Sequence, residues 1–258
     1  MTSSPRSLAL VTGGSRGLGH QICLQLREQG FQVQEFSRAA PHPWSVMLDL
    51  GRPQDIRPTL DRALGDLDLD GLDRLVVVGN AGSLAPIGPS WRQPREALRQ
   101  HLQINLGSAI EFYDAVLAHF QHRPVVRKVI GHITSGAAHR PHAGLSLYGA
   151  TKAGMEQYIR ALAEEQRSQA HPFTAVALDP GALDTDMQAQ IRAAAVEDLP
   201  VVTDFINRQR QGRLRDPAVV AHTLVAALLS PTLEPGPGSP ADHAGASVHL
   251  QPAAPALH

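Results

Sequence analysis

Tyr148 and Lys152 are the residues whose types and spacing most directly suggest chemistry. Residues four apart on a helix share a face, so a phenol and an ammonium can point at one spot. A phenol titrates near ~10 in water, and a fixed cation nearby favours its anion and lowers that value. A tyrosine tuned in this way can hand a proton to a carbonyl oxygen, or take one from an alcohol, near neutral pH. Composition singles out the lysine: among 23 Lys and Arg residues, only Lys128 and Lys152 are lysines. The same pair also fits an ordinary surface helix, so its meaning depends on the elements around it.

Those elements read as alternating strands and helices. Ser7 to Thr12 is a short apolar run suited to a buried parallel strand. It leads into Gly13-Gly14-Ser15-Arg16-Gly17-Leu18-Gly19 and then a helical pattern through Ile22, Cys23 and Leu26. Strand, glycine turn and helix form the context of a dinucleotide loop. The glycines let backbone approach a pyrophosphate, and the helix N-terminus offers free N–H groups and a positive dipole end. Gln32 to Phe36 predicts the second strand, ending at Ser37-Arg38 with no acidic residue for a ribose 2′-hydroxyl. Arg38 and Arg16 could instead converge on a 2′-phosphate, which guanidinium geometry suits. That favours NADP(H) over NAD(H). The alternatives are two solvated arginines, or Glu35 serving the ribose if the strand register is shifted.

A third strand is expected from Trp44 to Leu50, with Asp49 near its end, then a helix from Pro53 to Leu64. The fourth strand, Leu72 to Val78, ends in Gly79-Asn80-Ala81-Gly82, whose small residues would let a cofactor pass close by. A helical tract from Gln93 to His119 carries Asn105 in its middle, a poor helix former that marks a kink or a polar role. Lys128 to Thr134 delivers Ser135 at the carboxyl end of a strand, the side on which open parallel sheets bind ligands. Ser135, Asn80 and the glycine loop therefore reach one edge. Helix 148–168, strand Phe173 to Leu178 and Asp179-Pro180-Gly181 follow. The alternation predicts an α/β fold with a Rossmann-type doubly wound parallel sheet, in a single domain over residues 1–230.

Residues 182–212 differ in character: short helices at Leu183–Arg192 and Leu199–Arg210 form a candidate substrate lid. Asp216 to Leu229 is a last helix, N-capped by Asp216 with Pro217 at its first position. The tail 231–258 is rich in Pro, Gly and Ala, with a short edge strand expected at 244–250. A net charge of −1 argues against nucleic-acid binding, and a single cysteine excludes an internal disulfide. Cys23, on an apolar helical face, reads as core filler. No run approaches the ~20 apolar residues of a membrane span and no signal peptide is evident, so a soluble cytoplasmic protein is expected. His132, His139 and His142 lack a metal-ligand spacing and read as surface or substrate-rim residues. His119 and His122 read as partners of a helix C-terminus.

Thr12-Gly13-x-x-x-Gly17-x-Gly19, Asn80-Ala81-Gly82, Asn105, Ser135, Tyr148-x-x-x-Lys152 and Pro180-Gly181 together resemble the short-chain dehydrogenase/reductase family in order and spacing. The resemblance covers about residues 7–230. Within the family, the stretches 82–88 and 184–192 look like bacterial benzil reductases, relatives of sepiapterin reductase. The resemblance implies that Tyr148 is the proton donor, that Lys152 lowers its pKa and binds the nicotinamide ribose, and that Ser135 hydrogen-bonds the carbonyl oxygen. Asn105 would hold a water in the proton relay. By the same resemblance Gly13, Ser15, Arg16, Gly17, Leu18, Gly19, Arg38, Asn80, Ala81, Gly82, Pro180 and Gly181 line the cofactor. Asp49 and Leu50 would touch adenine, Thr185 and the backbone of Leu183 the carboxamide, and Met187 the substrate. Gly79 departs from the family, which usually carries a first Asn there.

The expected activity is NADPH-dependent reduction of a small-molecule ketone or 1,2-diketone. The rivals are a pteridine or 3-oxoacyl reductase on the same fold, and a non-catalytic NADPH-binding sensor. The mostly apolar lid residues Leu183, Met187, Ile191, Leu199, Val201 and Phe205 favour an apolar carbonyl. By analogy with the family, a homodimer or homotetramer is expected.

Overall fold

The computed structural model describes residues 7–233 and the strand 247–249. Seven parallel strands stand in the order β3-β2-β1-β4-β5-β6-β7. They are β1 (Ser7–Thr12), β2 (Gln32–Ser37), β3 (Ser45–Met47), β4 (Arg74–Gly79), β5 (Arg127–Ile133), β6 (Thr174–Asp179) and β7 (Ser247–His249). The chain starts at the centre, winds outward to β3, returns past β1 to β4 and winds outward again. That reversal makes the β1–β4 boundary a ligand crevice. β7 pairs with β6 through Leu178↔Val248. The rest of the expected 244–250 stretch, and residues 234–246 and 250–258, lie outside the described residues.

Period-two side-chain alternation fills both faces of the sheet. Leu8, Leu10, Leu75, Val77 and Ile130 point to one face, against α2 (Ile56–Gly65), α4 (Ser108–Phe120) and α5 (Ser146–Gln166). Ala9, Val11, Val76, Val78 and Val129 point to the other, against α1 (Gly17–Glu28) and α8 (Pro217–Leu229). Cys23 is fully buried in this second layer, and burial pushes its thiol up to about 12. It is a packing residue. Lys128, also buried, donates to the Phe120 and Gln121 carbonyls at 2.8 and 3.2 Å and so closes the C-terminus of α4.

The tract expected as one helix from Gln93 is split. α3 (Arg95–Leu102) runs into a π turn at Gln103–Gly107 before α4 begins. The wide turn turns Asn105 inward, which is the physical sense of a helix-averse residue at that point. α8 starts as its sequence prescribes: Asp216 accepts from the Ala218 N–H at 2.7 Å, with Pro217 first in the helix.

α6 (Asp186–Arg192) and α7 (Val202–Arg210) rise above the carboxyl edge. The segment leaves and returns at one point, because Leu183 and Arg215 form a parallel bridge with Asp184 N–H donating to the Arg215 carbonyl and Arg215 N–H to the Ala182 carbonyl. Its apolar side packs into a third cluster with Leu84, Leu145, Tyr148, Leu199 and Val202 at the centre.

Candidate active site

The glycine loop and the β4 turn are knitted together. Thr12 Oγ1 accepts from the Asn80 and Ala81 N–H groups, each at 3.2 Å, and Asn80 Nδ2 donates to the Gly13 carbonyl at 2.9 Å. Gly13 takes a φ of 70°, and a Cβ there would stand 2.7 Å from Ala81 Cα. Arg16 is extended before α1 and supplies no side-chain cap, so the first N–H groups of the helix keep their capacity for an anion. Ser15 sits in the turn, half-buried; Leu18 is buried in the sheet core, leaving only its backbone for a ligand. These features fit a pyrophosphate. Gly82 continues the path: a Cβ there would lie 3.8 Å from Lys152 Nζ, so its hydrogen keeps space open beside the ammonium.

Glu35 does not reach that surface. It is fully buried, and its Oε1 accepts from the Gly14 N–H at 3.0 Å beneath the loop. Arg38 is exposed just past β2. Arg16 reaches across the crevice instead, with Nη1 3.0 Å from Asp186 at the start of α6. Asp49 and Leu50 follow β3; Asp49 Oδ1 accepts from Gly51 N–H, and the buried Leu50 gives its carbonyl to Ser108 Oγ.

Asn105 meets the backbone of Ser83 edge to edge: its Nδ2 donates to the Ser83 carbonyl and its Oδ1 accepts from the Ser83 N–H, both at 2.7 Å. Its second amide hydrogen faces His101 Nε2 at 2.9 Å. That contact assigns the proton to His101 Nδ1, which lies 2.8 Å from the Ala85 carbonyl. Burial lowers the His101 pKa, opposed by the bond to the Ala85 carbonyl and helped by the Lys152 charge. His101 carries no sequence signal. Its partners come from three separate elements.

Ser135 leaves β5 in extended conformation, with Oγ accepting from the Ala137 N–H at 3.2 Å and in contact with the Tyr148 hydroxyl. Both ends of its turn are tied to Glu156, one helical turn beyond Lys152. Thr134 Oγ1 donates to Glu156 Oε1 at 2.7 Å, and His139 Nε2 lies 2.9 Å from Oε2. Lys152 Nζ donates to the Ile133 carbonyl at 2.7 Å and stands 5.8 Å from the centre of the Tyr148 ring. Burial holds the ammonium down to about 8, opposed by Glu156 and Asp179. Burial likewise pushes the Tyr148 phenol up to about 12, with the Ser135 hydrogen bond pulling the other way. The lowering of the phenol expected from Lys152 is not found in this conformation, where desolvation is the largest effect and Asp179 adds to it.

Asp179 ends β6 beside these groups and accepts from Gly181 N–H at 2.9 Å, next to the buried Pro180. Leu183 forms the base of the 183–215 excursion, and Thr185 overhangs the glycine loop, 3.7 Å from where a Gly17 Cβ would stand. Met187 lays its sulfur 3.9 Å from the Tyr148 hydroxyl. Loops on three sides are tied together: Arg92 bonds Asp198 at 2.9 Å, and Gly88 N–H donates to the Gly144 carbonyl at 2.9 Å.

The model of the family described as short chain dehydrogenase matches residues 7–196. The chain belongs to the short-chain dehydrogenase family. It is an oxidoreductase on the Rossmann-type fold. A benzil reductase ((S)-benzoin forming) of Bacillus subtilis is 30% identical over 226 residues, covering 86% of this chain and 93% of the relative. A sepiapterin reductase of Xenopus tropicalis is 26% identical over 242 residues, covering 84% and 89%. The crystal structure of the KRED1-Pglu enzyme superposes with a TM-score of 0.78 at 25% identity, covering 94% of this chain and all of that one.

Against this family the glycine at position 79 has a local explanation. A Cβ there would fall on the Tyr113 hydroxyl and 2.9 Å from His132 Nδ1. Tyr113 and His132 are fully buried and bond each other at 3.0 Å, His132 facing Gly79 across the β4–β5 ladder. A Tyr–His pair fills the space a longer side chain would take. His132 is thus a core residue and not the surface or rim histidine expected. Of the other two, His139 pairs with Glu156, and His142 packs edge-on against Phe205 of α7.

Proposed function

We propose that this protein is an NADPH-dependent carbonyl reductase acting on ketones or 1,2-diketones of benzil-like, apolar character. One observation carries the reading. Tyr148, hydrogen-bonded to Ser135 and with Lys152 one turn below, packs in one apolar cluster with Leu84, Leu145, Leu199 and Val202, and its hydroxyl lies beside the sulfur of Met187. Such a cluster suits an uncharged, bulky carbonyl and excludes water from the donors.

The nicotinamide cofactor, when bound, supplies the hydride that reduces the carbonyl carbon. Negative charge then grows on the carbonyl oxygen, and Tyr148 Oη and Ser135 Oγ are the donors for it. Tyr148 transfers its proton to that oxygen, and Lys152 stabilises the phenolate left behind. Asn105 fixes the backbone beside the proton path through its paired bonds to Ser83. Gly13 to Gly19, Asn80, Ala81 and Gly82 would hold the pyrophosphate and ribose, Asp49 and Leu50 the adenine. Pro180, Gly181, Leu183 and Thr185 would hold the carboxamide side. Glu35 being engaged under the loop supports a 2′-phosphate on Arg38, with Arg16 able to join once it leaves Asp186. Pairing of copies through the helices that carry Asn105 and Tyr148 belongs to the same reading.

Cofactor absorbance followed separately for NADPH and NADH, with benzil, a small aliphatic 1,2-diketone and sepiapterin, tests it. Fast NADPH loss with benzil and little with NADH is the expected result. Turnover of sepiapterin alone would replace the diketone reading with a pteridine one.

A further inference from the structure

The connection between β2 and β3 is short for its topology. Neighbouring parallel strands ordinarily need a crossover of about a dozen or more residues, usually a helix. Here residues 38–44 make the crossing without a helix. In place of one stands a column of four planar groups. The Arg27 guanidinium lies 4.0 Å over the Trp44 ring, Trp44 stacks on His42 at 4.8 Å and 11°, and His42 stacks on His20 at 4.6 Å and 21°. Arg27 and His20 share one face of α1; Trp44 and His42 come from the crossover.

The column is held by ring faces. His20 Nδ1, His42 Nε2 and Trp44 Nε1 are buried without a hydrogen-bond partner. Backbone bonds complete the loop: Ala40 N–H to Ser37 Oγ and His42 N–H to Ser45 Oγ, both 3.2 Å, and Glu35 N–H to the Trp44 carbonyl at 3.0 Å. Ala40 takes a φ of 38°, a left-handed turn that a side chain adopts only when its surroundings impose it. Arg38 rides on this loop, two residues after Phe36, whose carbonyl accepts from the Gly13 N–H at 2.8 Å. At the other end, His20 is one helical turn past Arg16. The column thus braces the arginine-bearing loop against the helix that opens from the glycine turn.

We infer that Trp44 and His42 are positioning residues for cofactor selection: they hold Arg38 where a phosphate on the adenosine 2′-oxygen would lie. This rests on the NADPH reading above. Removing the brace should lower affinity for the phosphorylated cofactor alone, because the contacts to the rest of the dinucleotide come from other loops.

The test compares Trp44→Leu, His42→Leu and Arg38→Ala in the full chain, reading dissociation constants for NADPH and NADH together with kcat. Trp44→Leu should weaken NADPH roughly tenfold, the worth of a charge-assisted hydrogen bond, with NADH affinity and kcat unchanged. Trp44→Phe, which keeps a stacking ring, should retain selectivity. Trp44→Leu added to Arg38→Ala should lose nothing more, as expected when one residue acts through the other. His42→Leu gives the same reading if Trp44→Leu does not fold. An equal loss for both cofactors, or an additive loss in the double variant, would overturn the inference while leaving the NADPH reading intact. A wild-type enzyme without NADPH preference, unmoved by Arg38→Ala, would remove both.

Discussion

Lys152 and Glu156 show how the residue scale sets the chemistry. The folded value of Lys152, about 8, lies below the ordinary 10.5, so between these values the unfolded chain binds more protons and stability rises with pH. Below about pH 8 the cost of the buried ammonium is fully present. That charge is also what would steady the phenolate, so carbonyl reduction should have a kcat/KM that falls as pH rises through about 8. Steady-state profiles between pH 6 and 10 measure this, since kcat/KM reports the free enzyme; a level profile to pH 10 would contradict it. Glu156→Gln keeps the shape but weakens the hold of its carboxylate on Thr134 and His139. It should reduce kcat by about 10-fold with KM nearly unchanged, since a small misplacement of a catalytic group is felt in the rate. The Tyr-x-x-x-Lys spacing made Tyr148 and Lys152 legible in the sequence. His101 and Glu156 were not, because their bonds to Ala85 and to Thr134 and His139 join separate segments of the chain, and no spacing rule encodes a tertiary contact.

At the scale of elements, the strands were readable because their buried faces force continuous apolar runs, and the α8 start because a cap is local chemistry. The π turn was half-visible: Asn105 marked a disturbance, but its inward rotation depends on Ser83 as a partner. The crossover at residues 38–44 was opaque, since its column joins residues of α1 to a loop of no regular structure. The Gly79 site gives a sharp test of element packing. Gly79→Ala should destabilise the protein by about 1–3 kcal/mol, the usual range for overpacking, because the added methyl meets Tyr113 and His132 between β4 and β5. Tyr113→Phe leaves His132 Nδ1 without its partner and should cost about 1–3 kcal/mol, the penalty of an unsatisfied buried polar group. Denaturant unfolding reads both, and wild-type midpoints would refute this packing account.

For the molecule as a whole, Tyr148 lies between the sheet edge and the 183–215 excursion, whose apolar residues pack against it. The excursion is anchored at its base by Leu183 and Arg215 and at its rim by Arg16–Asp186 and Arg92–Asp198. Both rim pairs are substantially exposed, so Arg92→Ala should shift stability by less than about 1 kcal/mol. Its effect should fall on the carbonyl KM, because it frees the turn that carries Leu199 into the apolar cluster. No helix among the described residues is long and apolar enough to cross a membrane. In the proposed reaction Tyr148 delivers the proton to the carbonyl oxygen. The most direct measurement is NADPH oxidation with benzil by the wild type and Tyr148→Phe, with NADPH binding of both verified by fluorescence. Unchanged binding and a loss of at least ~10²-fold in kcat, the usual worth of a general acid, are expected. Wild-type-like turnover by Tyr148→Phe would contradict that role.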